Sequence, residues 1–383
     1  MNKDPFGPEY VIRVCDPQIG MTGFLVIDNT AVGVGKGGIR MTSGVTEEEM
    51  LRLARTMTWK NALAGIPFGG AKAGIVWNPS GSIKGSPKKL NEIKKRFVQS
   101  FARAISHLTP CAYIAGPDVQ TGEREMEWFV GATGNKKSAT GKPKKLGGLP
   151  HELGSTGFGV SRAAKVAAEI YGLDIKKARI SIEGFGNVGM FVFKYLYEAG
   201  TTIIAVSDRG GTAFNASGLD YGKVTNAKTQ HGTVTAYPDA HRLPYDSIFG
   251  LESDILITAA VTDVISEKNR HSIRTKIIVE GSNIPMKEDI ERELWKRGIM
   301  IVPDFVANAG GVISSYAEYA GLSSEKMFAL VDERICKMSK KVLTMSALRN
   351  RNPRDIALIL AREKVEQAMK KRRATFIGKG AMI

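Results

Sequence analysis

Cysteine is scarce in this 383-residue chain: Cys15, Cys111 and Cys336 are the only three, at spacings that suit neither a disulfide framework nor a zinc site. They read as reduced thiols. No apolar run reaches the ~18 residues of a membrane-spanning helix. The opening Met1-Asn2-Lys3-Asp4-Pro5 lacks the apolar stretch of a secretory signal. A soluble cytoplasmic protein is therefore expected, with no membrane partner. Metal-ligand clusters, internal repeats and aromatic RNA-binding signatures are also missing. Acidic residues are few against basic ones, 38 against 54, which leaves a net charge of +16. The lysines are spread along the chain, so nucleic acid is not the expected partner. Steering anionic substrate and cofactor is a use for such a surface.

What is present suits two α/β domains, since the length exceeds one small core. Strands are expected over residues 10–14 and 23–27, with Pro17 and Gly20 making a hairpin turn. Thr46 with Glu49 three residues on predicts a capping box and a helix start. Met50, Leu53, Met57, Lys60 and Ala64 then form one stripe, apolar except for Lys60. Two glycine-rich stretches, 33–38 and 65–74, read as turns and carry Lys36 and Lys72. A helix is predicted over 90–108, Asp118 falls in a turn at 115–119, and 131–148, with five lysines, reads as a mobile solvated loop. After about residue 150 strands (179–185, 201–207, 254–260, 276–280, 299–303) alternate with helices (155–171, 187–199). That alternation predicts a doubly wound parallel sheet. The last fifty residues read as helix returning to the first domain. The expected division is 1–150 plus about 345–383 for a substrate-binding and oligomerisation domain, and 151–344 for a dinucleotide-binding Rossmann domain.

Gly184-Phe185-Gly186-Asn187-Val188-Gly189 matches G-x-G-x-x-G between a strand and a helix. The glycines allow a tight turn, approach of a pyrophosphate, and close helix–strand packing. Asp208 stands nineteen residues past Gly189, where a carboxylate accepts from an adenosine ribose. Arg209 beside it would suit a 2′-phosphate instead, so NAD and NADP both stay open.

Lys36, Lys60 and Lys72 lie in or near glycine-rich segments, with Asp118 in the next turn region. Converging lysines make an anion site and depress one another's pKa, so that one can act as a base near neutral pH. The stretches K-G-G-I-R (36–40), M-T-W-K-N-A (57–62), P-F-G-G-A-K-A-G (67–74) and G-P-D-V-Q-T (116–121) resemble the glutamate dehydrogenase members of the Glu/Leu/Phe/Val amino-acid dehydrogenase family. So do G-F-G-N-V-G (184–189), E-G-S-N (280–283) and A-N-A-G-G-V (307–312). The resemblance runs in order from about residue 10 to about 320.

The resemblance implies reversible deamination of L-glutamate to 2-oxoglutarate and ammonia with NAD or NADP, in a homo-oligomer, a hexamer by preference. It implies that Lys60 binds the α-carboxylate, Lys72 activates water, and Asp118 relays protons. Lys36 and Ser315 would bind the side-chain carboxylate, and Thr156 and Asn308 would lie near substrate and nicotinamide. Asn283, Ala259 and Ala260 would join the glycine loop, Asp208 and Arg209 around the cofactor. Two departures stand out. Ala317 replaces the family's aromatic residue after the Ser-Tyr pair, and His151, read as structural, lies in an altered stretch at 147–157. The alternatives are a leucine-, phenylalanine- or valine-type dehydrogenase and a catalytically silent regulatory paralogue.

Overall fold

The computed structural model describes residues 4–79, 86–149 and 153–380; His151 lies outside them. Two compact units emerge: Met1–Leu153 with Val312–Met327 and Ile359–Ile383, and Gly154–Gly311 with Phe328–Leu358. The division differs from the expected one: Val312–Met327 falls in the first unit, and of the expected 345–383 return only Ile359–Ile383 does, since Phe328–Leu358 packs in the second. Among the described residues no helix is long and apolar enough to cross a membrane.

The first unit is built on a six-stranded sheet. Strands β1 (Tyr10–Asp16) and β2 (Met21–Asn29) form an antiparallel hairpin. Strands β3 (Gly35–Lys36), β4 (Ile39–Thr42), β5 (Gly69–Val76) and β6 (Tyr113–Ile114) complete it in the order β1-β2-β5-β3-β6, with β4 paired to β5. Helices α2 (Pro87–Ala104) and α3 (Glu123–Thr133) share the larger core, where Phe97, Phe101, Met126 and Phe129 meet Leu25, Ile27 and Ile75. Helix α1 (Glu47–Ala64) makes a smaller core through Met50, Ala54 and Val26.

Two elements differ from expectation. The stretch 65–74 is not a turn; most of it is β5, buried and paired with β2, β3 and β4. Its glycines exist for close approach: a Cβ on Gly70 would lie 2.0 Å from Thr58 Oγ1. Helix α1 consequently turns Ala54, Thr58 and Asn61 to the strand; of the expected stripe Met50 and Ala64 are buried, while Leu53, Met57 and Lys60 are only half-buried. Thr46 Oγ1 does accept from Glu49 N at 3.1 Å. The Glu49 side chain, however, goes to Arg40 at 2.5 Å instead of closing the capping box. The lysine-rich stretch also differs. Ser138, Ala139, Thr140 and Lys142 are buried, because Ala115 pairs with Ala139 in a parallel bridge.

The second unit opens with α4 (Ser155–Tyr171) and continues through β7 (Arg179–Glu183), α5 (Asn187–Glu198), β8 (Thr202–Asp208), β9 (Gly211–Phe214), α6 (Tyr221–His231), β10 (His241–Leu243), β11 (Ser253–Thr258), β12 (Thr275–Glu280), α7 (Glu288–Lys296) and β13 (Met300–Val302). Its sheet order is β10-β9-β8-β7-β11-β12-β13. Strands β8, β7, β11, β12 and β13 are parallel, while β9 and β10 add an antiparallel edge that the sequence reading did not include. Buried Ile204, Leu256, Ile278, Ile290 and Ile301 form its core. Helices α8 (Asp304–Ala307), α9 (Gly310–Tyr319), α10 (Ser324–Arg349) and α11 (Pro353–Gly380) follow.

Candidate active site

In the first unit β4 places the charged residues. Ile39 N donates to Gly116 O at 2.9 Å and Met41 N to Val119 O at 3.0 Å, which lays residues 116–119 along the strand. Arg40 therefore meets Asp118, while Lys72 reaches it from β5. Lys72 Nζ stands 2.7 Å and Arg40 Nε 3.0 Å from the same oxygen, Asp118 Oδ2. Burial opposes ionisation of Asp118, but Lys72 and Arg40 together hold its carboxyl below the ordinary carboxylate range. Burial also pulls Lys72 below an ordinary lysine, with Asp118 offsetting only part of the effect. Sequence reasoning had Lys72 and Asp118 but not Arg40 or its second partner Glu49. The signal was there, since Arg40 closes the K-G-G-I-R stretch.

Lys36 on β3 is buried and donates to Ala115 O at 3.0 Å, which among the described residues leaves two N–H donors for a ligand. Burial, with Lys72 and Lys142 nearby, pushes it down to about 7 against the opposing pull of Glu318. Glu318 is itself a hub. It accepts from Lys142 Nζ at 2.6 Å, Gly141 N at 2.9 Å and Leu149 N at 3.1 Å, pinning the lysine-rich stretch beside Lys36. Neither Glu318 nor Lys142 was singled out from sequence, because a charged residue in a polar stretch reads as solvated. Lys60 on α1 and Ser315 on α9 are half-buried in the same unit.

The second unit holds the cofactor candidates. Gly184 has φ +94°, and a Cβ on Gly189 would fall 1.9 Å from Gly184 O, so loop and helix touch there. A Cβ on Gly186 would meet nothing within 4 Å, and Gly186 caps α5 without a side chain. This leaves the helix N–H groups open to a pyrophosphate. Phe185 is buried against Phe193, whereas Asn187 is exposed and Val188 half-buried at the helix start. The loop lies where strand order reverses, between β7 and β11, the usual place for a ligand in an open α/β sheet. Ala259 N donates to Glu183 O at 2.7 Å, closing the ends of those strands together, and Ala260 is exposed beside them. Buried Glu183, not anticipated, also accepts from Tyr245 and from the Ala259 and Ala260 amides.

Asp208 ends β8 and Arg209 follows it in the turn to β9. Asn308 donates to Asn283 Oδ1 at 2.9 Å, so these two are brought together at the ends of β12 and α8. Thr156 is half-buried in the first turn of α4, and Gly311 leaves it room: a Cβ there would come within 3.0 Å of its hydroxyl. The crowding at Gly189 carries a prediction. Gly189→Ala should lose NAD(P)H binding measured by nucleotide fluorescence, and unchanged binding would remove the loop from the site.

Residues 147–373 match the Glutamate/Leucine/Phenylalanine/Valine dehydrogenase family, and residues 8–135 match its Glu/Leu/Phe/Val dehydrogenase, dimerisation domain. The chain is 36% identical over 358 residues to the NADP-specific glutamate dehydrogenase of Saccharolobus shibatae, covering 90% of this chain and 83% of that one. It is 36% identical over 378 residues to the glutamate dehydrogenase of Thermotoga maritima, covering 95% and 89%. Its fold matches the hetero-hexameric glutamate dehydrogenase of Thermus thermophilus in its Leu-bound form with TM-score 0.82 at 28% identity, over 95% of this chain and 90% of that one. The shared fold, the glycine loop and the family match over most of its length make this chain a member of the Glu/Leu/Phe/Val dehydrogenase family.

Proposed function

We propose that the protein catalyses the reversible oxidative deamination of L-glutamate to 2-oxoglutarate and ammonia with NAD or NADP. The observation that carries this reading is buried Lys36, with two donors unused among the described residues, in the same unit as the Lys72–Asp118 pair. A buried lysine facing an apolar side chain would lack a counter-charge, at a cost of several kcal/mol by order of magnitude. A γ-carboxylate supplies that charge. Ser315 assists it, Lys60 takes the α-carboxylate, and Thr156 and Asn308 line the substrate. The loop 184–189, Ala259, Ala260 and Asn283 hold the cofactor, with Asp208 and Arg209 at its adenosine end.

The ionised Asp118 takes a proton from the substrate ammonium and leaves a neutral amine. A bound nicotinamide supplies the hydride acceptor, and the substrate becomes an iminium. Once Asp118 carries the proton, Lys72 loses the charge that supported its own protonation and releases its proton to solvent. As the neutral amine it removes a proton from the water that adds to the iminium carbon. Asp118 then returns its proton to the carbinolamine nitrogen, and as ammonia leaves, the carbinolamine hydroxyl gives its proton back to Asp118 and becomes the 2-oxo group. The curated relatives named as glutamate dehydrogenases support the substrate. We further infer a homo-oligomer from the dimerisation-domain match, and a hexamer by preference because the Thermus relative is named as hetero-hexameric.

The test is NAD(P)H formation with glutamate, leucine and phenylalanine, for the wild type and Lys36→Leu. Glutamate should be the preferred substrate, and its KM should rise about a hundredfold in the variant. Preference for leucine or phenylalanine would move the substrate within the family. Inactivity with all three would favour a regulatory paralogue.

A pH effect follows from the lysine pushed down to about 7. At pH 8 the free protein holds Lys36 mostly neutral, and a bound dicarboxylate raises its proton affinity. Binding of 2-oxoglutarate should therefore take up a proton, visible as a buffer-dependent heat in calorimetry. Equal heats in buffers of different ionisation enthalpy would refute the contact.

A further inference from the structure

We propose that the second unit is built for the 2′-phosphorylated dinucleotide, with Arg209 as the phosphate ligand and Asp208 withdrawn from ribose recognition. This rests on the dinucleotide reading of that unit. It does not depend on which amino acid is oxidised.

In this fold the end of the second strand after the glycine loop faces the adenosine ribose. A carboxylate with lone pairs to offer takes the 2′-hydroxyl there, and a cation takes a 2′-phosphate. Asp208 is at that strand end but has nothing left to offer. Its Oδ1 accepts from Gly210 N at 2.8 Å and Thr233 Oγ1 at 2.9 Å. Its Oδ2 accepts from Lys228 Nζ at 2.7 Å and Val234 N at 2.9 Å. A carboxylate has about four acceptor positions, and all of them are filled from within the chain. The side chain is only 6% exposed. A ribose hydroxyl would have to displace one of these donors to reach it.

The charge at the strand end points the same way. Lys228, which also donates to Gly232 O at 2.9 Å, neutralises Asp208 in place. The carboxylate therefore poses no uncompensated negative charge to an arriving phosphate. Arg209, the next residue, is exposed and has no hydrogen-bond or ion-pair partner among the described residues. One positive charge is left over, on the side chain whose planar fork matches a phosphate. Gly210 follows it and has no side chain to compete for the same space. A phosphate of about −1.5 to −2 gains from this arrangement, whereas a neutral diol finds no acceptor.

The test is an equilibrium titration of the full-length protein with NADPH and with NADH, read by nucleotide fluorescence with no amino acid present. NADPH should bind about tenfold or more tighter, and its affinity alone should fall steeply with ionic strength. Arg209→Ser should remove most of that difference through weaker NADPH binding, leaving NADH nearly unchanged. Lys228→Met, confirmed folded by its melting curve, should uncover the Asp208 charge and weaken NADPH relative to NADH. Equal or tighter NADH binding by the wild type would overturn the proposal. So would a ratio unmoved by Arg209→Ser. If neither nucleotide binds the wild type, the dinucleotide reading falls and this inference falls with it. Tight NADPH binding without glutamate oxidation would instead sink only the choice of substrate.

Discussion

Asp118→Asn is expected to lower kcat for amino-acid oxidation about a thousandfold, within the range seen when a positioned proton-transfer group is removed. The amide keeps the size of the carboxyl and can still accept from Arg40 or Lys72, so the fold should survive. What it loses is the charge. Asp118 Oδ2 is the single point at which Lys72 and Arg40 converge, at 2.7 and 3.0 Å. Without the charge, two cations face a neutral group, and no carboxylate remains to take the ammonium proton. Binding should suffer less than chemistry, so KM should change far less than kcat. An unaltered melting temperature together with a kcat reduced by less than about tenfold would remove Asp118 from proton transfer. Arg40→Met belongs in the same series. It removes one of the two cations that keep Asp118 ionised, so the acid limb of the pH–rate profile should move to higher pH while activity persists.

The largest effect on stability should come from Arg354→Met. Arg354, its side chain 14% exposed, lies in the second unit and bonds three carboxylates: Glu280 at 2.7 Å, Asp304 at 3.0 Å and Glu291. Removing it leaves buried carboxyl groups with no counter-charge, a loss of about 3–5 kcal/mol. Burial already raises Glu280 and Glu291 above ordinary glutamates, with Arg354 opposing. An acid with a raised folded-state pKa binds more protons folded than unfolded. Its contribution is full below the unfolded pKa and is lost as pH rises through the folded one. Without Arg354 those values rise further, so the deficit of the variant should be larger at pH 8 than at pH 5. Melting curves at the two pH values check this, and a pH-independent deficit would show that lost packing against Phe305 dominates. The residues tethered are those that lead to Asn283 and Asn308. Asp304 N donates to Glu280, and Ile284 N to Asp304.

How far the sequence could be read depended on what each residue type does locally. The glycine loop at 184–189 was legible because strand, loop and helix follow one another within a dozen residues, and each glycine has a local reason. Strand β5 was not. Its glycines look like turn residues until α1 is laid over them, and only the 2.0 Å approach at Gly70 explains why a central strand should lack side chains. Lys72 and Asp118 could be paired from motifs, but Arg40 and Glu49 join them through contacts made only after folding. Glu318 lies 176 residues from Lys142, a separation at which no periodicity speaks. The stretch 131–148 misled for the opposite reason. Its composition is that of a solvated loop, and it is the bridge between Ala115 and Ala139 that takes it inside.

The pair formed by Lys142 and Glu318 beside Lys36 sets how this protein can change over evolutionary time. Three ionisable groups share that interior, but two already balance each other and the backbone around them. The third is the one a ligand completes. Losing Lys36 alone would leave a neutral, intact wall and an emptied slot, a viable intermediate on the way to a different side chain. Losing Lys142 or Glu318 first would strand a charge inside the protein and unpin the 141–149 segment. New substrate preferences are thus reachable through one door only, and lineages that diverged in specificity should keep the 142–318 pair while varying position 36.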